Sequence, residues 1–281
     1  MPKTETMYHL CYSHPEVTLL RESGIGVAEI AARTCYDSFS NSENDAIRQA
    51  TEILDPEAIN AIDDSDLLHS LAWVHHHHSI IEHSTLSFLV RGTSRGVLQE
   101  HARHRIQSIS VRSTRYTMSS VINAFVAATI SDEGREAFIA LVLPLDLFVV
   151  ADEAYQRLEI GGMHDKLRFQ YDQNPDDFLA TAIAKSSLPL LEESSRSART
   201  LYDALQDGRK KRNVGDAFKH IVSDNWKVDM VVTFNLRSLK NYFDLRTSGA
   251  AWFQIRWLAE AMKAVTPIKY LKLIDKAHKE G

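Results

Sequence analysis

Apolar residues recur at helical spacing over residues 26–37 (GVAEIAARTCYD), and again over 67–74 behind Asp64-Ser65-Asp66, a sequence suited to capping a helix. The pattern then changes period. Leu86, Phe88 and Val90 form one face of an alternating run that ends at Arg91-Gly92, which predicts a strand. Thr93 or Ser94 can cap a helix running to about Ala102, whereas 103–116 has no clean period. Two long helices are expected over 134–160 and 177–206, a β-rich run over 228–234, and helix again from Asn235, with 251–265 strongly amphipathic. These elements predict an α+β fold, a mostly antiparallel sheet carrying 86–90 and 228–234 and packed with several long helices.

Composition agrees with a helix-rich chain. The 281 residues hold 11 glycines and 7 prolines, where average usage gives roughly 20 and 14. With 44% apolar and 25% charged residues the chain can bury a core, which excludes a disordered protein. The most apolar stretch, 138–150, is interrupted by Pro144 and Asp146, so no membrane span is expected. The first ten residues, MPKTETMYHL, lack the apolar segment of a secretory signal. Cys11 and Cys35 are too few for a disulfide framework, and a reducing, cytoplasmic setting is expected. A net charge of −5 argues against a general attraction to nucleic acid or anionic membrane, so a bound anion needs a local cluster of cations. Arg209-Lys210-Lys211-Arg212, after Gly208, reads as a solvated loop.

Three clusters could carry chemistry. The first holds His75-His76-His77-His78 and His83 in H-S-I-I-E-H (78–83). On one helix four consecutive histidines point in four directions, and no H-E-x-x-H appears, so no metal site is expected. The second is Arg103-His104-Arg105, seven residues, then Ser113-Thr114-Arg115-Tyr116. Four arginines (103, 105, 112, 115) stand beside the hydroxyls of Ser108, Ser110, Ser113 and Thr114. Guanidinium forks with hydroxyl donors suit phosphate, and no Asp or Glu between Glu100 and Ser131 neutralises them locally. The third is Asn235-Leu236-Arg237-Ser238-Leu239 with Asn241 and Leu245-Arg246; on a helix Arg237, Asn241 and Leu245 share one face.

Together these blocks resemble the flavin-dependent thymidylate synthases, whose hallmark is R-H-R, seven residues, then S. Here that is RHRIQSISVRSTRY, with HHSIIEHSTLSF (77–88) upstream, NLRSLKNYFDLR (235–246) downstream, and AARTCYDSF (31–39) similar to the family's first helix. The resemblance covers about 25–119 and 215–265. It implies one domain over 1–281 with a helical elaboration at about 120–214, assembled as a homotetramer with flavin sites at subunit interfaces. It also implies that NADPH reduces bound FAD and that methylenetetrahydrofolate supplies one carbon to C5 of dUMP, giving dTMP. Neither cysteine lies in a nucleophile motif, which fits a reaction whose hard step belongs to a cofactor.

Residue by residue, the resemblance assigns Ser79, Arg103, His104, Arg105, Val111, Asn235, Arg237 and Asn241 to the flavin. It assigns Glu100, Arg103, Arg112, Ser113, Thr114, Arg115, Lys219 and Arg246 to the nucleotide, with Arg246 as the catalytic group that polarises the N3/O4 edge of uracil. Ser113 is read as a binding group, because a nucleophilic serine needs an activating base. The chain departs from the commonest family pattern at Glu100 (usually Gln), Ser110 (Asn), Val111 (Glu), Lys219 (Arg) and Ala250 (His). Two alternatives stay open: a His-rich metallohydrolase using His77, His83 and His104, and a flavoprotein of the same fold without methylation.

Overall fold

The structure is a computed structural model and describes residues 15–113, 115–117, 202–219 and 227–279, with single positions 119, 122, 123, 126, 131 and 200. The chain divides into two compact units, one of Met1–Ser13, Ser94–Gly96 and Arg112–Val228, the other of His14–Thr93, Val97–Val111 and Asp229–Gly281. Of the helices expected over 134–160 and 177–206, only 200 and 202–206 are described, and they are helical; the rest lies outside the described residues.

The second unit carries the sheet and the core. Its strands are β1 (Glu16–Glu22), β2 (Thr85–Ser94), β3 (Gln107–Val111) and β4 (Lys227–Asn235), in the order β1-β2-β4-β3. β1 pairs antiparallel with β2, Val17 facing Val90, and β3 pairs antiparallel with β4, Ile109 facing Val232. Leu86, Phe88 and Val90 of β2, and Met230, Val232 and Phe234 of β4, are buried together on one face. Alternation of large apolar side chains makes these two strands, since a pleated ribbon sends every second residue to the same side. On the other face Ser87 and Thr233 share a hydroxyl hydrogen bond of 2.8 Å.

Helices cover the apolar face. α1 (Gly26–Cys35) begins where Gly26 lies so close to Ile59 that a Cβ would stand 2.3 Å from the Ile59 carbonyl oxygen. α2 (Asp66–Trp73) is capped by Ser65, whose hydroxyl accepts from the Leu68 amide as the sequence predicts. α3 (Arg95–His101) follows β2 directly, starting at Arg95, so β2 continues past Gly92 to Ser94. α5 (Leu236–Arg246) runs out of β4, packing against α6 (Phe253–Ala264) and α7 (Ile268–Ile274). In the first unit, α4 (Lys211–Phe218) takes up Lys211 and Arg212, so only half of the basic run stays outside a helix.

β1 and β3 are strands that periodicity does not announce. β3 falls inside 103–116, the stretch without a clean period; as an edge strand its three central residues are exposed, which removes the apolar alternation. Among the described residues no helix is long and apolar enough to cross a membrane.

Candidate active site

α2 stops at Trp73, and the chain turns through His76, whose φ of 55° is the left-handed conformation that ends helices. The four histidines therefore do not share a helix. His78 donates from Nε2 to the Ala72 carbonyl at 3.0 Å, which fixes the proton on that nitrogen. Ser79 follows, exposed, at the start of a 3₁₀ turn, Ile80–His83.

Two further elements meet this turn in the second unit. The segment after α3 brings Arg103, His104, Arg105 and Ile106, and α5 brings Arg237, Ser238, Lys240, Asn241 and Asp244; with His78 they line a cavity of about 570 Å³. Four cations, Arg103, Arg105, Arg237 and Lys240, face one carboxylate, Asp244. Arg237 donates to Glu82 Oε1 at 2.5 Å, with both side chains substantially exposed. Arg103 meets Glu100 Oε1 at 3.3 Å and is 73% exposed. Such solvated pairs contribute roughly 0–1 kcal/mol each, so a bound anion competes for both arginines at little cost.

The α5 side of the cavity is set by its cap and its period. Asn235 Oδ1 accepts from the Ser238 amide at 2.8 Å, closing the first turn. Arg237, Lys240, Asn241 and Asp244 then follow at i, i+3, i+4 and i+7 and share a face. Leu245, expected on the face of Arg237 and Asn241, does not line the cavity. Sequence reasoning passed over Lys240 and Asp244, although helical spacing from Arg237 reaches both.

Arg246, in the last turn of α5, is only 17% exposed. Its Nε donates to His104 Nε2 at 2.9 Å, one Nη donates to the Glu100 carbonyl oxygen at 3.4 Å, and the other meets Glu100 Oε2 at 3.1 Å. Burial first, then the Arg246 charge, hold His104 below the usual histidine range, against the raising pull of Glu100. Behind it lies a buried aromatic group. The His104 ring meets Tyr242 edge-on at 4.8 Å, and the Tyr242 hydroxyl is 3.0 Å from His101 Nδ1. Burial above all drives His101 down to about 4 and keeps Tyr242 protonated well above its ordinary range.

The first unit holds the predicted residues Arg112, Ser113, Thr114, Arg115 and Lys219. Arg115 Nε donates to Asp216 Oδ2 at 3.0 Å, and Lys219 Nζ meets Asp216 Oδ1 at 3.0 Å. The neutralising acid that the sequence lacks near the arginines thus comes from 101 residues away. Lys219 foremost, helped by Arg115, holds Asp216 below the usual carboxylate range. Arg112 is exposed and Ser113 half-buried, its carbonyl accepting from Thr117; Thr114 lies outside the described residues. Val111, the last residue of β3, faces Met230 and packs against the core, away from the residues that line the cavity. Among the described residues no three His, Cys, Asp or Glu side chains are arranged to hold a metal ion, so His77, His83 and His104 do not converge.

A sheet backed by helices, with an arginine-rich cavity built from three separate sequence blocks, defines an α+β protein equipped for a polar, anionic ligand. The family model described as thymidylate synthase complementing protein matches residues 18–267, and the chain belongs to that family. Its relatives include the flavin-dependent thymidylate synthases of Helicobacter pylori strain J99, 25% identical over 92% of this chain and 97% of that one, and of Wolinella succinogenes, 25% identical over 89% and 93%. The fold matches the crystal structure of thymidylate synthase X from Helicobacter pylori with FAD and dUMP, at a TM-score of 0.59 and 22% identity, covering 95% of this chain and all of the other. The family resemblance drawn from the motifs and the α+β class are both borne out.

Proposed function

We propose that this protein is an FAD-dependent thymidylate synthase, methylating dUMP to dTMP with methylenetetrahydrofolate as one-carbon donor and NADPH as reductant. The observation that carries the reading is the convergence of Arg103, His104 and Arg105 with Arg237 and Asn241 around one cavity, in a chain of this family. The donor set fits FAD: cations for a diphosphate, carboxamide and histidine for ring carbonyls and nitrogens, and a volume of about 570 Å³ within the roughly 300–1,000 Å³ usual for such sites. When bound, FAD supplies the two-electron chemistry between NADPH and the transferred carbon.

The residues of this chain bind, orient and stabilise charge. Arg103, Arg105 and Arg237 hold the anionic cofactor, assisted by Ser79, His104, Asn235 and Asn241. Arg112, Ser113, Thr114, Arg115 and Lys219 bind the nucleotide, its phosphate sharing Arg115 and Lys219 with Asp216. Glu100 and Arg103 stand on the nucleotide side of the cofactor. Arg246 faces the N3/O4 edge of uracil, where a fixed guanidinium stabilises the negative charge that develops as C5 becomes nucleophilic. A homotetramer completes the flavin sites at its interfaces. A cytoplasmic setting accords with the exposed free thiol of Cys35.

The purified protein is expected to be yellow, to bleach with NADPH and to form dTMP from dUMP. Arg246→Ala should retain bound FAD and lose dTMP formation. A variant that keeps turning over dUMP removes Arg246 from its assigned role, and a wild type without flavin or methylation refutes the function.

A further inference from the structure

Arg246 is a tightly constrained cation, and its constraints come from a single short segment. An arginine side chain carries five N–H donors. Three of its bonds point to 100–104: Nε to His104 Nε2 at 2.9 Å, one Nη to the Glu100 backbone carbonyl at 3.4 Å, and the other to Glu100 Oε2 at 3.1 Å. The other carboxylate oxygen of Glu100 meets Arg103 at 3.3 Å, so one acid spans two arginines. The contact with His104 also determines its protonation. A guanidinium never yields its proton, so His104 Nε2 must offer a lone pair, and the ring is neutral with its hydrogen on Nδ1. Tyr242 backs that ring from α5, and the His104 amide donates to the His101 carbonyl at 3.1 Å, which keeps the acceptor aimed.

We propose that Glu100 and neutral His104 are positioning residues for Arg246, fixing the plane of its guanidinium so that its two remaining N–H bonds meet the pyrimidine. The inference rests on the reading of Arg246 as the group that polarises uracil. It reassigns Glu100, placed by resemblance against the nucleotide, to holding the arginines that meet the ligands. It also makes the clamp sensitive to protons. Protonating His104 removes the acceptor and sets a second cation beside Arg246. The charged and titratable groups facing His104 are Arg246 and Arg103, which resist protonation, Glu100, which favours it, His101, and from α5 the Tyr242 ring, whose buried hydroxyl stays protonated.

Two measurements test the clamp, one independent of activity. Nitrogen NMR of histidine-labelled protein should show His104 as the neutral Nδ1–H form at pH 7.5, titrating below 6.5, and Arg246→Met should move that titration upward. A proton on Nε2, or a titration indifferent to Arg246→Met, overturns the proposal, whatever the protein is found to catalyse. Kinetics per bound flavin supply the second. His104→Leu should lower kcat about 10- to 100-fold, as misplaced catalytic groups do, with little change in KM for dUMP. His104→Gln, whose Oε1 can take the place of Nε2, should recover to within about tenfold of wild type and lack its acid limb. Glu100→Gln, which keeps an acceptor but not the charge, should fall between the two. Wild-type kcat in His104→Leu, or an acid limb that persists in His104→Gln, refutes the clamp; a wild type unable to methylate dUMP refutes the function instead, leaving the NMR result to judge the clamp.

Discussion

Replacing His101 by asparagine should remove a loss of stability in acid. The His101 side chain is buried against Phe234 and Tyr242, its Nδ1 held 3.0 Å from the Tyr242 hydroxyl, and it titrates at about 4 where an exposed histidine titrates at 6.5. Burial is the main cause; repulsion from His104 and Arg246 adds to it, against a raising contribution from the Gln107 side chain. Between those two values the unfolded chain binds the proton and the native chain refuses it, so stability rises with pH through the window. The penalty is absent above 6.5, about 1.5 kcal/mol at pH 5.5, about 2.5 kcal/mol at pH 4.5, and complete below 4. Asp64, held down by its hydrogen bond with His69, and Asp216, held down by Lys219, protonate below 3.8, outside the window, and His104, also held below its usual range, is common to both proteins. Asparagine keeps an acceptor near Nδ1 and cannot titrate, at a cost of about 1–2 kcal/mol for the smaller side chain. Urea unfolding of both proteins from pH 7.5 to 4.5 should therefore show the variant less stable at neutral pH and the two curves crossing between about pH 5 and 6. Parallel curves across that window would show that His101 is not the group that resists protonation.

Two further predictions concern positions where local geometry outweighs general preference. Gly26→Ala should gain from helix propensity, yet a Cβ at 2.3 Å from the Ile59 carbonyl forces α1 off its neighbour, and urea unfolding should show a net loss of about 1–3 kcal/mol. Asn235→Ala should cost about 1 kcal/mol by removing the cap of α5, whereas Asn235→Asp keeps the cap oxygen and stays within about 0.5 kcal/mol of wild type. Weaker FAD binding by Asn235→Asp at unchanged stability, measured by flavin fluorescence, would separate the amide donor from the cap.

The parts of the fold that the sequence makes legible are those where burial enforces a period. Leu86, Phe88 and Val90 alternate because β2 is central, and Ser65 and Asn235 announce their helices because a helix start needs an acceptor for its free amides. β3 escapes the same reading because an edge strand solvated on both faces needs no alternation. The site divides in the same way. Arg103, His104, Arg105, Arg237 and Asn241 stand in motifs, and helical spacing from Arg237 contains Lys240 and Asp244 as well. Pairings that close long loops leave no local trace. Asp216 meets Arg115 across 101 residues, Arg246 meets His104 across 142, and His101 meets Tyr242 across 141, and nothing within either partner's neighbourhood identifies the other.

The exposures of the arginines follow a division of labour. Arg103 and Arg237 are 73% and 55% exposed and engage Glu100 and Glu82 in pairs that water competes for. Arginines held so loosely can turn onto a ligand, because what they give up is worth at most about 1 kcal/mol each. Arg246, at 17% exposure, is bound at Nε and at both terminal nitrogens. In the role proposed for Arg246, a cation that stabilises charge appearing only during reaction contributes most when its orientation is settled beforehand, since reorientation would otherwise be added to the barrier. Capture and pre-orientation are opposite requirements. The sequence meets both with one residue type by changing what surrounds it: a single solvated carboxylate contact for each of Arg103 and Arg237, and for Arg246 a neutral imidazole, a backbone carbonyl and the second oxygen of Glu100.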